Sequence, residues 1–203
     1  MLLSRYLDTE PQDIPLIRLD CPVRGGPHAP AVKGQPVHFS VSHSAGLGLL
    51  GFAATPVGVD VEEVPRPGTV EEIAAMLHPR ETAELAGYED ADRPHAFARA
   101  WARKEAYLKG LGTGLARGLS TDYLGTAQVP GADLPGWRIG DADVGDHHRG
   151  GRRRTPLTTK GATAVRRGST QGHRPGGPTD GTSSTDSAPS TGTAGNTSPH
   201  LFR

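Results

Sequence analysis

An α+β body followed by a disordered tail is the fold class this sequence predicts, and three observations carry the prediction. Alternating residues flanking a tight turn are written between His38 and Ala54; helical spacing of apolar residues takes over from Val70 to Leu111; and from Arg149 onward the composition falls to Gly, Ser, Thr and Pro.

Residues 2–8 read as the last turns of a helix, as if the chain joined a larger architecture late. Residues 20–36 are dense in Pro and Gly and are expected to form an extended loop. Residues 38–42 and 47–54 alternate as two strands of a hairpin, with Ser44, Ala45 and Gly46 at the turn. Thr55-Pro56 interrupts, and residues 57–64 read as a third strand. Val70, Ile73, Ala74 and Leu77 then recur at helical spacing. His78-Pro79 marks a stop before a short helix over residues 81–86. The longest helix is expected over residues 94–111, closed by Gly110, Gly112 and Gly114. Residues 119–123 and 136–139 are expected to be short strands.

The formal net charge of 0 is a cancellation of 22 basic against 22 acidic residues. Residues 1–148 hold 13 Lys/Arg and 20 Asp/Glu, a balance of −7, and residues 149–203 reverse it to +7. The tail's large apolar residues, Leu157, Val165, Leu201 and Phe202, are too few to offset an ordering entropy of about 1–2 kcal/mol per residue. A basic, low-complexity tail without interleaved aromatics is a weak nucleic-acid signal, and no nucleic-acid partner is expected. The single cysteine, Cys21, excludes an internal disulfide framework and a Cys-rich zinc site. No secretory pattern opens the chain and no run approaches the roughly 20 apolar residues of a membrane span, so a cytoplasmic monomer is expected.

Three short stretches carry chemistry. In Gly58-Val59-Asp60-Val61-Glu62-Glu63, strand alternation puts Val59 and Val61 on one face for packing and Asp60 and Glu62 on the other. Two converging carboxylates repel unless a cation neutralises them, and Mg²⁺ with its preference for oxygen ligands is the natural partner. An edge strand with a solvated polar face accounts for the same pattern. In Trp101-Ala102-Arg103-Lys104-Glu105-Ala106-Tyr107-Leu108-Lys109, helical geometry lines up Phe97, Trp101 and Leu108, with Glu105 beside that stripe and Lys109 one turn above it. A routine Glu-to-Lys surface pair competes with a functional role there. In Phe39-Ser40-Val41-Ser42-His43-Ser44, hydroxyl, imidazole and backbone donors at a hairpin end suit a phosphate, although a satisfied turn histidine also fits. A Ser-His hydrolase does not fit, because adjacent strand residues point to opposite faces and no nucleophile elbow is present.

Taken in order, FSVSHS (39–44), GVDVEE (58–63) and WARKEAYLKGLGTGL (101–115), with LHPRETAEL (77–85) between, resemble the 4′-phosphopantetheinyl transferases of the surfactin-synthetase-activating type. The resemblance spans residues 2–145. It implies a pseudo-twofold pair of small α/β halves with the active site at their interface. The halves would fall at residues 1–56, incomplete, and 57–148, with residues 149–203 as the tail. It also implies transfer of the phosphopantetheine arm of coenzyme A to a serine of an acyl- or peptidyl-carrier protein, releasing adenosine 3′,5′-bisphosphate. Asp60, Glu62 and Glu105 match the family's Mg²⁺ ligands, and Lys109 its lysine at the pyrophosphate. Ser42 and His43 match the residues touching coenzyme A phosphate. Glu105, or a metal-bound water beside it, is the candidate base for the incoming serine, and Lys104 a further positive charge at the cleft. An acidic body needs a local basic patch to receive an acidic carrier, and Arg99, Arg103 and Arg117 are candidates.

The sequence also departs from the family. The chain is expected to lack the opening strand, helix and basic residues that the family places before the position of Leu2. The loop RGGPHAPAV (24–32) lacks the family's basic residue on the adenine side, leaving Arg24 or Lys33 to substitute. The closing strand after about His147 is expected to be replaced by the tail. An inactive relic that still binds coenzyme A or carrier is therefore the alternative function, and a metal-dependent nuclease is a remote third.

Overall fold

The computed structural model describes residues 2–25, 27–131, 134–142 and the backbone of strand 162–167. In chain order the elements are α1 (Leu2–Leu7), β1 (Leu16–Asp20), β2 (Pro27–Val32), β3 (His38–Ser44), β4 (Leu47–Ala53), β5 (Val57–Asp60), α2 (Pro67–Ile73), α3 (Pro79–Ala86), α4 (Arg93–Leu111), β6 (Trp137–Ala142) and β7 (Ala162–Arg167). Short 3₁₀ turns stand at Pro11–Asp13, Ala74–Met76 and Gly114–Arg117. The α+β character follows from three small antiparallel sheets: β1 with β2, β3 with β4, and β5, β7, β6 in that order.

The β3–β4 hairpin forms where alternation places it. Ser44 pairs with Leu47, and the two intervening residues both have positive φ, 50° at Ala45 and 80° at Gly46, the twist-compatible turn of a two-residue hairpin. One face of the hairpin carries Leu47 and Leu49 onto Val59 and Val61. The other carries Phe39, Leu50 and Phe52 into a cluster with Val32, Val37 and the α1 leucines.

Helix α4 is the central support. Ala96, Ala98, Ala100, Ala102 and Ala106 are all buried, so the helix has packed surface on several sides instead of one stripe. Towards α2 and α3 it presents Ala96, Phe97 and Ala100 to Val70, Leu77 and Leu85. Towards β6 it presents Ala106 and Tyr107 to Trp137 and Leu124. Its end is closed by Gly112 in the left-handed region, whose N–H donates to the Leu108 and Lys109 carbonyls. The buried Cys21 thiol reaches the Thr113 carbonyl just beyond, at 3.6 Å, tying the end of the first ribbon to the end of α4.

Four expectations are corrected. Residues 20–36 are not simply a loop, because residues 27–32 pair with β1. Two prolines survive in β2 because a two-stranded ribbon leaves one edge of each strand without ladder bonds. The strand expected over 57–64 stops at Asp60. Residues 119–123 form turns instead of a strand. The nearby main chain is taken up by side chains: Lys104 Nζ bonds the Asp122 carbonyl, and Glu81 Oε1 accepts the Leu124 and Gly125 N–H groups at 2.8 and 3.1 Å. Finally, residues 162–167, assigned by composition to the disordered tail, form the strand between β5 and β6, with Val165 in register with Gly58 and Ile139. Both neighbours leave a row of backbone donors and acceptors that a third strand satisfies, and a window average over Gly, Ser and Thr does not register six residues that do so. The rest of the predicted tail lies outside the described residues.

Candidate active site

The site is built where β5, β3 and α4 meet. Gly58 and Gly110 make the approach between strand and helix: a Cβ on Gly58 would lie 1.8 Å from the Ala106 carbonyl oxygen and 2.4 Å from the Gly110 nitrogen. With no side chain at either position, β5 lies directly on the α4 backbone, and Asp60 comes within reach of Lys109.

Asp60 is buried, at 2% exposure, and its Oδ1 is shared by two donors. Lys109 Nζ stands 2.6 Å away and the Ser42 hydroxyl donates to it at 2.8 Å. Lys109 also donates to Ser42 Oγ at 3.2 Å, closing a triangle of lysine, serine and aspartate. Among the described residues, the buried Asp60 Oδ2 has no hydrogen-bond partner.

Glu62 and Glu105 are half-buried and electrostatically coupled to this triangle. Burial first, then the negative charges of Asp60 and Glu105, pushes the Glu62 carboxyl up to about 7, with Lys109 opposing. Burial likewise raises Glu105, with Asp60 adding and Lys109 opposing. Val59 and Val61 are packed at 0% and 1% exposure, as alternation predicts, Asp60 and Glu62 lie near Glu105 and Lys109, and Glu63 is exposed. His43 is exposed at the end of β3, one residue from Ser42.

The carboxylates meet the chemical requirement for a hard cation: a buried oxygen without a partner among the described residues and two acids whose ionised forms are disfavoured first by burial and then by neighbouring negative charge. Among the described residues, however, no group of three or more His, Cys, Asp or Glu side chains is already drawn together as a metal cage. Lys109 is the cation that contacts Asp60.

Two sequence expectations do not survive the geometry. Lys104 does not face a cleft. Its side chain is 2% exposed and paired at 2.8 Å with Glu81, itself 0% exposed. Arg103 is fully buried, bonded to Asp141 and to the Gly125 and Gln128 carbonyls, so it cannot meet a carrier. Arg99 bonds the Thr126 carbonyl and Arg117 pairs with Asp122 at 2.7 Å, so both are engaged in holding the loop after α4. The helix that supplies Glu105 and Lys109 thus uses its other charges structurally.

Sequence reasoning missed Glu81, Glu84 and Ser40. The first two receive main-chain N–H groups of residues 124–126. The sign available was the capping box, in which His78 Nδ1 accepts from Arg80 N–H and Glu81 returns to His78 N–H. A cavity of about 250 Å³ beside Glu84, Tyr88, Tyr123 and Thr126 lies apart from the Asp60 cluster, and none of the cluster's residues lines it. Glu84 is already engaged there by Tyr123 and Thr126.

The α+β scaffold thus brings Asp60, at the end of β5, and Glu62, just beyond it, towards Glu105 and Lys109 of α4. The model of the 4′-phosphopantetheinyl transferase superfamily matches residues 56–163, and the chain belongs to that family, of the Sfp-like type. It is 32% identical over 119 residues to the 4′-phosphopantetheinyl transferase HetI of Nostoc sp., covering 57% of this chain and 49% of that protein. A 4′-phosphopantetheinyl transferase of Bacillus subtilis is 30% identical over 91 residues, covering 45% and 39%. Sfp of Bacillus subtilis strain 168 is 26% identical over 114 residues, covering 56% and 48%. The chain spans about half the length of these relatives, or less. The family match runs into β7, consistent with residues 162 and 163 belonging to the folded body.

Proposed function

We propose that this chain transfers the 4′-phosphopantetheine arm of coenzyme A to a serine hydroxyl of an acyl- or peptidyl-carrier protein and releases adenosine 3′,5′-bisphosphate. Family membership supports the reaction class. The observation that carries the site assignment is the triangle of Lys109, Ser42 and Asp60 beside a partnerless Asp60 oxygen.

In this reading Asp60, Glu62 and Glu105 would hold Mg²⁺, which when bound supplies charge neutralisation to the bridging and leaving oxygens. Lys109 binds the pyrophosphate. Two of its three donors go to Ser42 and Asp60, and the side chain remains 32% exposed to meet an anion. His43, exposed beside Ser42, contacts a coenzyme A phosphate. Glu105, or a water beside it, takes the proton of the incoming serine. The two-halved architecture, divided near residue 56, belongs to the same proposal and is supported by β3 and β5 each contributing to one cluster. So does a monomer acting in the cytoplasm; among the described residues no helix is long and apolar enough to cross a membrane.

The test is to incubate the full chain with coenzyme A, Mg²⁺ and an apo carrier protein and to follow carrier mass. A phosphopantetheine adduct is expected. Its absence, where an Sfp-like relative modifies the same carrier, overturns the proposal.

A further inference from the structure

Among the described residues, strand β5 has no backbone partner on its side away from β7; serine hydroxyls there receive the N–H groups of Val59 and of Val61, just past the strand's end. Val59 N–H donates to Ser40 Oγ at 3.1 Å and Val61 N–H donates to Ser42 Oγ at 3.4 Å. The matching is by twos on both strands, 40 with 59 and 42 with 61, so side chains on one face of β3 follow the repeat of the β5 backbone. Both serines are buried, each 8% exposed, while Val41 between them is 49% exposed. The strand therefore turns its polar residues inward and an apolar one outward, the reverse of what burial alone selects.

Ser42 is shared with the site through Asp60 and Lys109, but its rung on Val61 is the longer of the two. Ser40 touches neither Asp60 nor Lys109, and its rung is the shorter. Its acceptor holds the amide immediately before Asp60, at a residue with no exposure to water. We infer that Ser40 is a positioning residue: by accepting the Val59 N–H it sets the phase of β5 so that Asp60 Oδ1 faces Lys109. The inference rests on the proposed transferase reading for its catalytic consequence and on the hydrogen bond alone for its structural one.

The test uses Ser40→Ala and Ser40→Thr in the full chain, with two readouts. Amide hydrogen exchange at Val59 is expected to rise about tenfold in Ser40→Ala, the scale of one buried hydrogen bond, and to return in Ser40→Thr. Leu124 and Gly125 amides, held by Glu81 elsewhere, should not change. In the transfer assay, kcat is expected to fall about tenfold in Ser40→Ala with KM for the carrier unchanged, and to recover in Ser40→Thr. Unchanged exchange at Val59 overturns the rung, and altered exchange with unchanged kcat overturns the positioning role. A loss spread equally over all amides and not restored by Thr reduces Ser40 to a packing residue. If Ser40→Ala does not fold, Ser40→Thr still decides, because with its Oγ in place it must match the parent in both readouts. A parent chain that performs no transfer refutes the transferase reading and removes the positioning claim, leaving the exchange readout to judge the rung by itself.

Discussion

Replacing Gly58 by Ala tests the link between packing and site most directly. The added methyl carbon would lie 1.8 Å from the Ala106 carbonyl oxygen and 2.4 Å from the Gly110 nitrogen, whereas real Cβ atoms essentially never come closer than 3.0 Å. Relieving the first contact moves strand from helix by at least 1.2 Å, from 1.8 to 3.0 Å, and both obstacles are main chain with no rotamer to swing aside. Overpacking a core costs about 1–3 kcal/mol, and a backbone-to-backbone clash belongs at the upper end. The unfolded chain loses freedom on Gly→Ala, which returns only about 0.4–1 kcal/mol. A net loss of about 2 kcal/mol lowers the melting temperature by roughly 4–8 °C at about 2–4 °C per kcal/mol. The same displacement stretches the 2.6 Å contact between Lys109 and Asp60, so transfer activity should fall further than stability accounts for. Thermal unfolding by circular dichroism and the carrier-mass assay measure the two effects. Gly68→Ala, where a Cβ meets nothing within 4 Å, is the control and should be neutral or slightly stabilising. A Gly58→Ala protein that melts within a degree of its parent refutes the close-approach reasoning.

Asp60→Ala should abolish transfer with a small change in melting temperature, while Val61→Asp, which puts a charge at 1% exposure, should cost several kcal/mol; the reverse outcome in the two assays would invert the assigned faces of the chain at 59–62. Lys104→Met removes the cation paired with the buried Glu81, so denaturant unfolding should show a loss of about 3–5 kcal/mol, and adding Glu81→Leu should recover only part because Glu81 also accepts three main-chain N–H groups. Glu84 has its carboxyl below the ordinary 4.5: burial pushes it up, but hydrogen bonds from Tyr123 and Thr126 outweigh that. Because the folded value is depressed, its contribution is present above about pH 4.5 and is lost as pH falls through the folded value. Glu84→Gln should flatten the stability-against-pH curve in that acid window, and an unchanged slope would exclude the linkage.

Much of the arrangement of the candidate site was legible because strand alternation is a local rule. Val59 and Val61 against Asp60 and Glu62 needs only the period of two, and Trp101, Glu105 and Lys109 need only the helical turn. Lys104 and Arg103 were misread because helical spacing says which residues are neighbours, not what packs against them. Their partners come from the separate segments at Glu81 and Asp141. Strand β7 was missed for a related reason: its six residues carry little apolar signal, and its place is defined by the unsatisfied edges of β5 and β6, which end far earlier in the chain, at Asp60 and Ala142.

The sequence by itself determined the order of chemical motifs, the hairpin with its two-residue turn, the helices, and the family, since each depends on residue types at fixed short spacings. Only the tertiary structure decided which charges stay open to solvent and which are closed in against buried partners. That choice depends on desolvation and on partners from distant segments: Lys109 keeps a third of its surface and meets Asp60, whereas Lys104, five residues earlier on the same helix, is closed in against Glu81. The same long-range geometry turned Ser40 from an unremarked residue beside a motif into a partner of the strand that carries Asp60.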